Sequence, residues 1–180
     1  MRVLLLASMC LVACTGADGI ESASKVGTEC LFKFEQTPIC TYKNTDHSIS
    51  VTLVTKKIAD DELALVQANI VTNGIKQTVK IADDTSMIQV NIGTVLFDDI
   101  NFDGIPDLAI ATSFGVANQY FDYWVYDKNN KTYLATGNYS KLKIDAATKK
   151  LSAQVKISAA GYEAQVFTWH GNTLVQSKQQ

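Results

Sequence analysis

The sequence predicts an all-β fold built from sequential antiparallel hairpins. Three observations predict it: β-branched and aromatic residues alternate with polar ones in short runs, Asn73-Gly74 separates two such runs, and only two prolines occur. Period-two alternation is typical of strands with one buried face, and Asn-Gly is a strong signal for a tight hairpin. The arrangement is either a sandwich or a small propeller-like ring, because no fixed-length repeat is visible.

The predicted strands follow one another at short intervals. They cover residues 31–34, 48–54, 64–71, 75–81, 87–92, 94–97, 108–111, 121–126, 132–134, 142–144, 151–157, 164–169 and 174–175. Residues 60–67 alone have a helical pattern, but their continuation into 69–72 is typical of a strand. The polar segment 127–130 predicts a turn between two of the strands.

Residues 1–13 have the features of a lipoprotein signal peptide. Arg2 precedes an apolar run that is too short for a membrane span, which needs roughly 20 residues. Leu11-Val12-Ala13-Cys14 has the form of a bacterial lipobox, in which Cys14 becomes the lipidated first residue of the mature chain. Thr15 rather than Asp follows it, which favours the outer membrane. The alternative is an ordinary secretory signal with a chance cysteine.

The rest of the chain divides into a tether and one domain. Residues 14–27 are small and polar and predict a tether between lipid and fold. Residues 28–180 are enough for a single domain with its own core. The 16 basic and 18 acidic side chains give a net charge of −2, and loss of Arg2 makes the mature protein slightly more acidic. This balance excludes nucleic-acid binding driven by bulk charge.

Cys30 and Cys40 are predicted to form a disulfide in an oxidising periplasm, where they would flank a short hairpin. The closed loop of about 11 residues corresponds to roughly 3 kcal/mol in the chain-entropy account. Metal ligation is the competing interpretation, but no CxxC motif and no neighbouring histidine supports it. His47 and His170 each stand alone.

The segment 99–107 has the spacing D-x-N-x-D-G-x-x-D, which predicts a calcium loop. Calcium takes six to eight oxygen ligands, and carboxylates at alternate loop positions supply them. The candidate ligands are the side chains of Asp99, Asn101, Asp103 and Asp107 and the main-chain carbonyl of Ile105.

This loop differs from a sensor EF-hand in two ways. The bidentate glutamate expected at the twelfth position is replaced by Ile110, and strands rather than helices flank the loop. We therefore expect an EF-hand-like loop of modest affinity between two strands. The alternative is a turn rich in Asp and Asn that caps its own backbone and binds nothing. The carboxylates have no candidate nucleophile or base beside them, so no enzyme is predicted.

The segment after this loop is a candidate binding loop. It contains Ser113, Phe114, Gly115, Asn118 and Tyr120 between two predicted strands. Tyrosine and small residues on a well-held loop give a large contact area with few rotors to order on binding. The alternative is that Phe114, Tyr120 and Tyr123 are core or cross-strand packing residues.

Three segments resemble a known family. They are F-D-D-I-N-F-D-G-I-P-D-L (97–108), S-F-G-V-A-N-Q-Y-F-D-Y-W-V-Y-D (113–127) and E-A-Q-V-F-T-W-H-G-N-T-L-V (163–175). Together with the lipobox they resemble periplasmic lipoproteins that serve as immunity proteins of bacteria-killing type IV secretion systems. That family is similar in fold to periplasmic inhibitors of invertebrate-type lysozyme. The resemblance covers roughly residues 95–175.

The resemblance implies an inhibitor that blocks the active-site cleft of a lysozyme-like effector. Such inhibitors insert a serine-glycine-tyrosine loop, for which Ser113, Gly115 and Tyr120 are the matching residues here. Phe114 interrupts the Ser-Gly pair, and Tyr120 lies further along than in the family's motif. Calcium would hold the base of this loop without touching the enzyme. The competing function is a calcium-stabilised structural or adhesion-like envelope lipoprotein.

Overall fold

A computed structural model describes residues 28–34, 37–114, 117–171 and 173–177, and this part of the chain folds into antiparallel strands without a helix. The all-β prediction is therefore confirmed. The strands are β1 (Glu29–Lys33), β2 (Ile39–Lys43), β3 (Ser48–Ala59), β4 (Glu62–Thr72), β5 (Ile75–Lys80), β6 (Met87–Ile88), β7 (Ile92–Leu96), β8 (Leu108–Ala111), β9 (Tyr120–Asp127), β10 (Thr132–Ser140), β11 (Lys143–Asp145), β12 (Lys150–Lys156), β13 (Tyr162–His170) and β14 (Thr173–Ser177).

The strands form three sheets. The middle sheet has the order β1-β7-β8-β9-β10, and the carboxy-terminal sheet has the order β11-β12-β13-β14. The amino-terminal sheet has the order β2-β3-β4-β5, with β6 paired to β4. Neighbouring strands are mostly consecutive in sequence, as expected for hairpins.

The middle sheet is covered on both faces, which explains why β8 has no exposed residue. Leu108 and Ile110 join a buried cluster with the amino-terminal sheet, whereas Ala109 and Ala111 join a second cluster with the carboxy-terminal sheet. Between the two outer sheets, the described residues share no buried cluster of their own. Of the two predicted arrangements, the structure is consistent with the sandwich, here with three layers.

Cys30 and Cys40 form a disulfide with a Cα–Cα distance of 5.8 Å. The pairing is confirmed, but the expected hairpin between the cysteines is wrong. Cys30 lies in β1, which pairs with β7, and Cys40 lies in β2, which pairs with β3. The disulfide therefore joins the middle sheet to the amino-terminal sheet.

The predicted strand at residues 87–92 is divided in the structure. Ile88 and Asn91 close a turn, in which the Asn91 amide oxygen accepts from the Ile88 N–H at 2.9 Å. The chain thereby leaves the amino-terminal sheet and enters the middle one. Gly93 continues β7, where a Cβ atom would overlap the Phe32 ring. The apparent break at Gly93 is thus a close packing contact inside a strand.

Candidate functional site

The predicted calcium loop connects β7 to β8 at one end of the middle sheet. The Asp107 N–H donates to the Asp98 carbonyl at 2.9 Å, which closes the loop at its base. Two neighbours hold it from outside: the Tyr126 N–H donates to Asp107 at 2.8 Å, and the Trp169 indole N–H donates to the Ile100 carbonyl at 2.6 Å. The loop is thereby attached to β9 and to β13 of the carboxy-terminal sheet.

Side-chain oxygens of the loop turn inward onto its own backbone. The Asp103 N–H donates to Asp99 Oδ1 and Asn101 Oδ1, each at 3.1 Å. The Gly104 N–H donates to Asp99 Oδ2 at 2.9 Å, and the Ile105 N–H donates to Asp103 Oδ1 at 3.0 Å. Left-handed φ angles of 63° at Phe102 and 84° at Gly104 tighten the winding.

Asp107 differs from the other acidic residues of the loop because it is only 1% exposed. Its Oδ2 accepts from the N–H groups of Ile100 and Asn101 at 2.9 and 3.3 Å, and its Oδ1 accepts from Tyr126. Burial raises the pKa of Asp107 to about 7, against these three donors, which lower it. Asp107 therefore connects the first residues of the loop to its end and to β9.

The donor set is chemically suited to a hard cation. Asp99, Asn101 and Asp103 each direct oxygens toward the same short stretch of backbone, and a carboxylate oxygen has two lone pairs, so one N–H bond does not exhaust it. Within the described ranges, however, no three Asp, Glu, His or Cys side chains form a metal-binding group by themselves. A calcium ion here would need the Asn101 amide, the Ile105 carbonyl and water to complete its coordination.

The candidate binding loop connects β8 to β9 at the other end of the middle sheet. Gly115 lies outside the described residues, whereas the other four candidates can be placed. At the base of the loop, the Thr112 N–H donates to the Tyr120 carbonyl at 2.9 Å, and the Asn138 amide donates to the Thr112 hydroxyl at 3.0 Å. The two ends of the loop are therefore held side by side.

Ser113 closes the loop from inside. Its hydroxyl donates to the Asn118 carbonyl at 3.1 Å and accepts from the Tyr120 N–H at 2.7 Å. A hydroxyl engaged in this way stabilises a tight loop. In this conformation the Ser113 hydroxyl supports the loop instead of projecting from it.

Asn118 attaches the loop to the carboxy-terminal sheet. Its amide nitrogen donates to the Lys156 carbonyl at 3.0 Å, and its amide oxygen accepts from the Lys156 N–H at 2.7 Å. The side chain thus reproduces the pair of bonds that a neighbouring strand would make to β12. The contact joins residues that are 38 positions apart, and the sequence carries no local signal for it.

Phe114 and Tyr120 have different environments. Phe114 is partly buried and packs against both core clusters, which agrees with the packing interpretation for this residue. Tyr120 is the first residue of β9, and its side chain is half-buried. Ala117 is exposed. Both aromatic side chains are thus partly exposed, and they differ in that Phe114 packs against both core clusters.

The calcium loop and the binding loop lie at opposite ends of β8. That strand has four residues, which at 3.3 Å per residue separates the two loops by roughly 13 Å. The expectation that calcium holds the base of the binding loop is therefore corrected. A cation would act on the binding loop only through β8 and β9. The hydrogen bonds that hold the binding loop directly are made by the side chains of Ser113, Asn118 and Asn138.

A second exposed element beside the binding loop has no motif in the sequence. Residues 157–161 form the turn between β12 and β13, directly after Lys156, to which Asn118 is bound. Ile157 and Tyr162 flank this turn, and each is 63% exposed. The signal that sequence reasoning could have used is the uncharged run Ile157–Tyr162 at a predicted strand end.

The described part of the chain contains no helix able to cross a bilayer. In comparisons with known proteins, no family model, no curated protein and no solved structure matches this chain.

Proposed function

We propose that this protein is an immunity protein that inhibits a lysozyme-like peptidoglycan hydrolase by occluding its active-site cleft. Its place of action is the bacterial periplasm, where Cys14 carries the lipid anchor. The observation that carries the proposal is the binding loop, which Ser113 closes from inside and Asn118 fastens to Lys156. A loop ordered before binding loses little conformational entropy when it enters a cleft.

The same contacts suggest how the inhibitor would work. A lysozyme cleft contains two carboxyl groups and donors that bind sugar oxygens. Because the Ser113 hydroxyl is engaged within the loop, occlusion depends on the loop's shape and on its exposed residues. The partly exposed Tyr120 at the loop's base supplies contact area, and its phenol offers a hydrogen-bonding group to the cleft.

We also infer that the loop 99–107 binds a calcium ion. The ion would stabilise the fold and take no part in inhibition. Asp99, Asn101, Asp103 and the Ile105 carbonyl would hold it, with Asp107 beneath them as the organising carboxylate. The ion would neutralise clustered carboxylates and rigidify the connections to Tyr126 and Trp169. Millimolar extracellular calcium suits a loop without a twelfth-position glutamate.

The test of inhibition uses the chain from Thr15 onward, which lacks the lipidated cysteine but retains the folded domain. This protein is mixed with a panel of lysozymes that includes the invertebrate type, and with any muramidase encoded beside its gene. We expect inhibition of at least one enzyme, with a one-to-one complex in size-exclusion chromatography. Absence of both inhibition and complex at micromolar concentration would refute the proposed function.

A matched pair of variants tests the site. Ala117→Glu places a charge on the binding loop, and Ala147→Glu places the same charge on the exposed turn between β11 and β12. We expect Ala117→Glu to weaken inhibition at least tenfold and Ala147→Glu to leave it unchanged, with equal melting temperatures. Equal inhibition by both variants would place the contact surface elsewhere.

The alternative function is that of a calcium-stabilised structural lipoprotein of the envelope. The attachment of the calcium loop to both β9 and β13 favours it, because these contacts strengthen the fold far from the binding loop. The two functions differ in one measurement. A structural protein would show calcium-dependent stability and no complex with any muramidase of the panel.

A further inference from the structure

The turn between β12 and β13 exposes apolar surface that the fold does not use. Ile157 and Tyr162 are each 63% exposed, and residues 157–162 carry no charge. We call residues 157–162 the hairpin tip. Full burial of such a side chain is worth roughly 1.5–3 kcal/mol, which a partner that covers the turn could gain from two of them at once.

The hairpin tip is a closed turn. The N–H groups of Ile157 and Ser158 donate to the Gly161 carbonyl at 3.0 and 3.4 Å. A Cβ atom at Gly161 would lie 2.7 Å from the Ser158 hydroxyl oxygen, so the turn is tightly wound at that point. Ile157 and Tyr162 are therefore presented in a defined geometry.

The tip and the binding loop belong to one surface. Asn118 of the loop makes two hydrogen bonds to the backbone of Lys156, and Ile157 is the next residue along the chain. Ile157 therefore lies within reach of a partner that covers the binding loop. The Asn118–Lys156 pair also fixes the position of one element relative to the other.

We propose that the hairpin tip is the second half of the docking surface and packs against the rim of the cleft that the binding loop occludes. This inference rests on the proposed function and adds its apolar component. Tyrosine is enriched among the residues that dominate protein interfaces, and charge is depleted at their centres. The hairpin tip contains Tyr162 and no charged residue.

The surroundings of the tip favour a protein partner over a lipid surface. Lys156 and Glu163 flank it with one charge of each sign, so the tip lacks the cationic border that anionic lipids attract. Its continuity with the binding loop favours the same enzyme over a second copy of this chain. Dimerisation through the tip is nevertheless a distinguishable outcome of the experiment.

The test measures dissociation constants for a lysozyme that the wild-type protein inhibits. Ile157→Ser and Tyr162→Ser remove the apolar side chains of the tip. Ile75→Ser is the control: Ile75 also follows a tight turn and is 40% exposed. Ile75 is paired with Thr72, whose hydroxyl contacts the Tyr133 hydroxyl beside the turn from β9 to β10. That turn lies at the end of β9 away from the binding loop and the hairpin tip.

We expect the tip variants to raise the dissociation constant about tenfold each, which corresponds to the loss of a moderate hot spot, and Ile75→Ser to leave it unchanged. Melting temperatures of all three should match the wild type, since the residues are exposed. Tip variants that bind as tightly as the wild type would overturn this inference and leave the proposed function intact. A wild-type protein that binds no enzyme of the panel would overturn both.

Light scattering, which measures the molar mass in solution, tests whether the hairpin tip is instead a dimer contact. One set of results would contradict the inference: a dimeric wild type, monomeric tip variants and equal dissociation constants for the enzyme. The tip would then be a contact between two copies of this chain. A wild-type monomer with weakened binding by the tip variants supports the inference.

Discussion

The Asp107 carboxylate accepts a hydrogen bond from the Tyr126 N–H at 2.8 Å, and this contact joins the loop 99–107 to β9. The same carboxylate accepts two further N–H bonds from Ile100 and Asn101 within its own loop. A single buried side chain thus organises the turn and aligns it with the neighbouring strand.

Replacing Asp107 by alanine should be strongly destabilising. Three backbone N–H donors would lose their acceptor in a buried site, which costs about 3 kcal/mol or more. Urea denaturation with a chelator present measures this loss without a contribution from calcium. Asp127 is the control, because its carboxylate also accepts N–H bonds from Asn129 and Asn130 but is much less buried than that of Asp107. Equal losses for Asp107→Ala and Asp127→Ala would show that burial is not the cause.

Removing calcium should lower the melting temperature of the wild-type protein. If millimolar calcium exceeds the dissociation constant tenfold, the ion stabilises the fold by about 1.4 kcal/mol. Asp103→Ala should abolish the effect of the chelator, whereas Asp145→Ala at the exposed end of β11 should retain it. A wild-type melting curve that calcium and chelator leave unchanged would identify the loop as a self-capped turn.

Removing the disulfide should lower the free energy of unfolding by roughly 3 kcal/mol, the chain-entropy value for its closed loop. The double variant Cys30→Ala, Cys40→Ala avoids free thiols, and calorimetry or urea denaturation measures its stability. Cys40 is 1% exposed, so a further loss from packing is expected. A double variant within 1 kcal/mol of the wild type would contradict a role in joining two sheets.

Ser113 and Tyr120 should respond differently to replacement. Ser113→Ala removes both hydrogen bonds that close the binding loop and should lower stability by about 1–2 kcal/mol, with weaker inhibition as a consequence. Tyr120→Ala should raise the inhibition constant with little loss of stability. Comparing melting temperature with inhibition for both variants tests this. A large stability loss with normal inhibition would identify Tyr120 as a packing residue.

Stability should fall above pH 10 because of two buried tyrosines. Burial raises the pKa of Tyr133 to about 12 and raises that of Tyr123 further. Both phenols stay neutral in the fold but ionise near pH 10 once unfolded, so their contribution is complete below pH 10 and is lost as pH rises toward the folded values. Within that range, each tyrosine lowers the free energy of unfolding by at most about 1.4 kcal/mol per pH unit. Tyr133→Phe should flatten the slope of stability between pH 9 and 11, and an unchanged slope would contradict the burial argument.

The fold class could be predicted because strand periodicity is a local property. Alternation in β3 predicts a strand, Asn73-Gly74 predicts a hairpin turn, and the structure has both. The sequence does not predict β2, because Cys40 is the one fully buried position among its five residues. The long β10 was predicted only in its first three residues, since the irregularity between Ala135 and Gly137 interrupts the alternation.

The all-β class, the hairpin turns, the cysteine pair and the location of an oxygen-rich loop can be predicted from the amino-acid sequence. Each is encoded in neighbouring residues or in residue type. In contrast, the packing of the sheets places the two cysteines in different sheets and puts the loop 99–107 and the candidate binding loop at opposite ends of β8. It also decided that Asn118 binds Lys156, because contacts between distant residues depend on how the sheets stack.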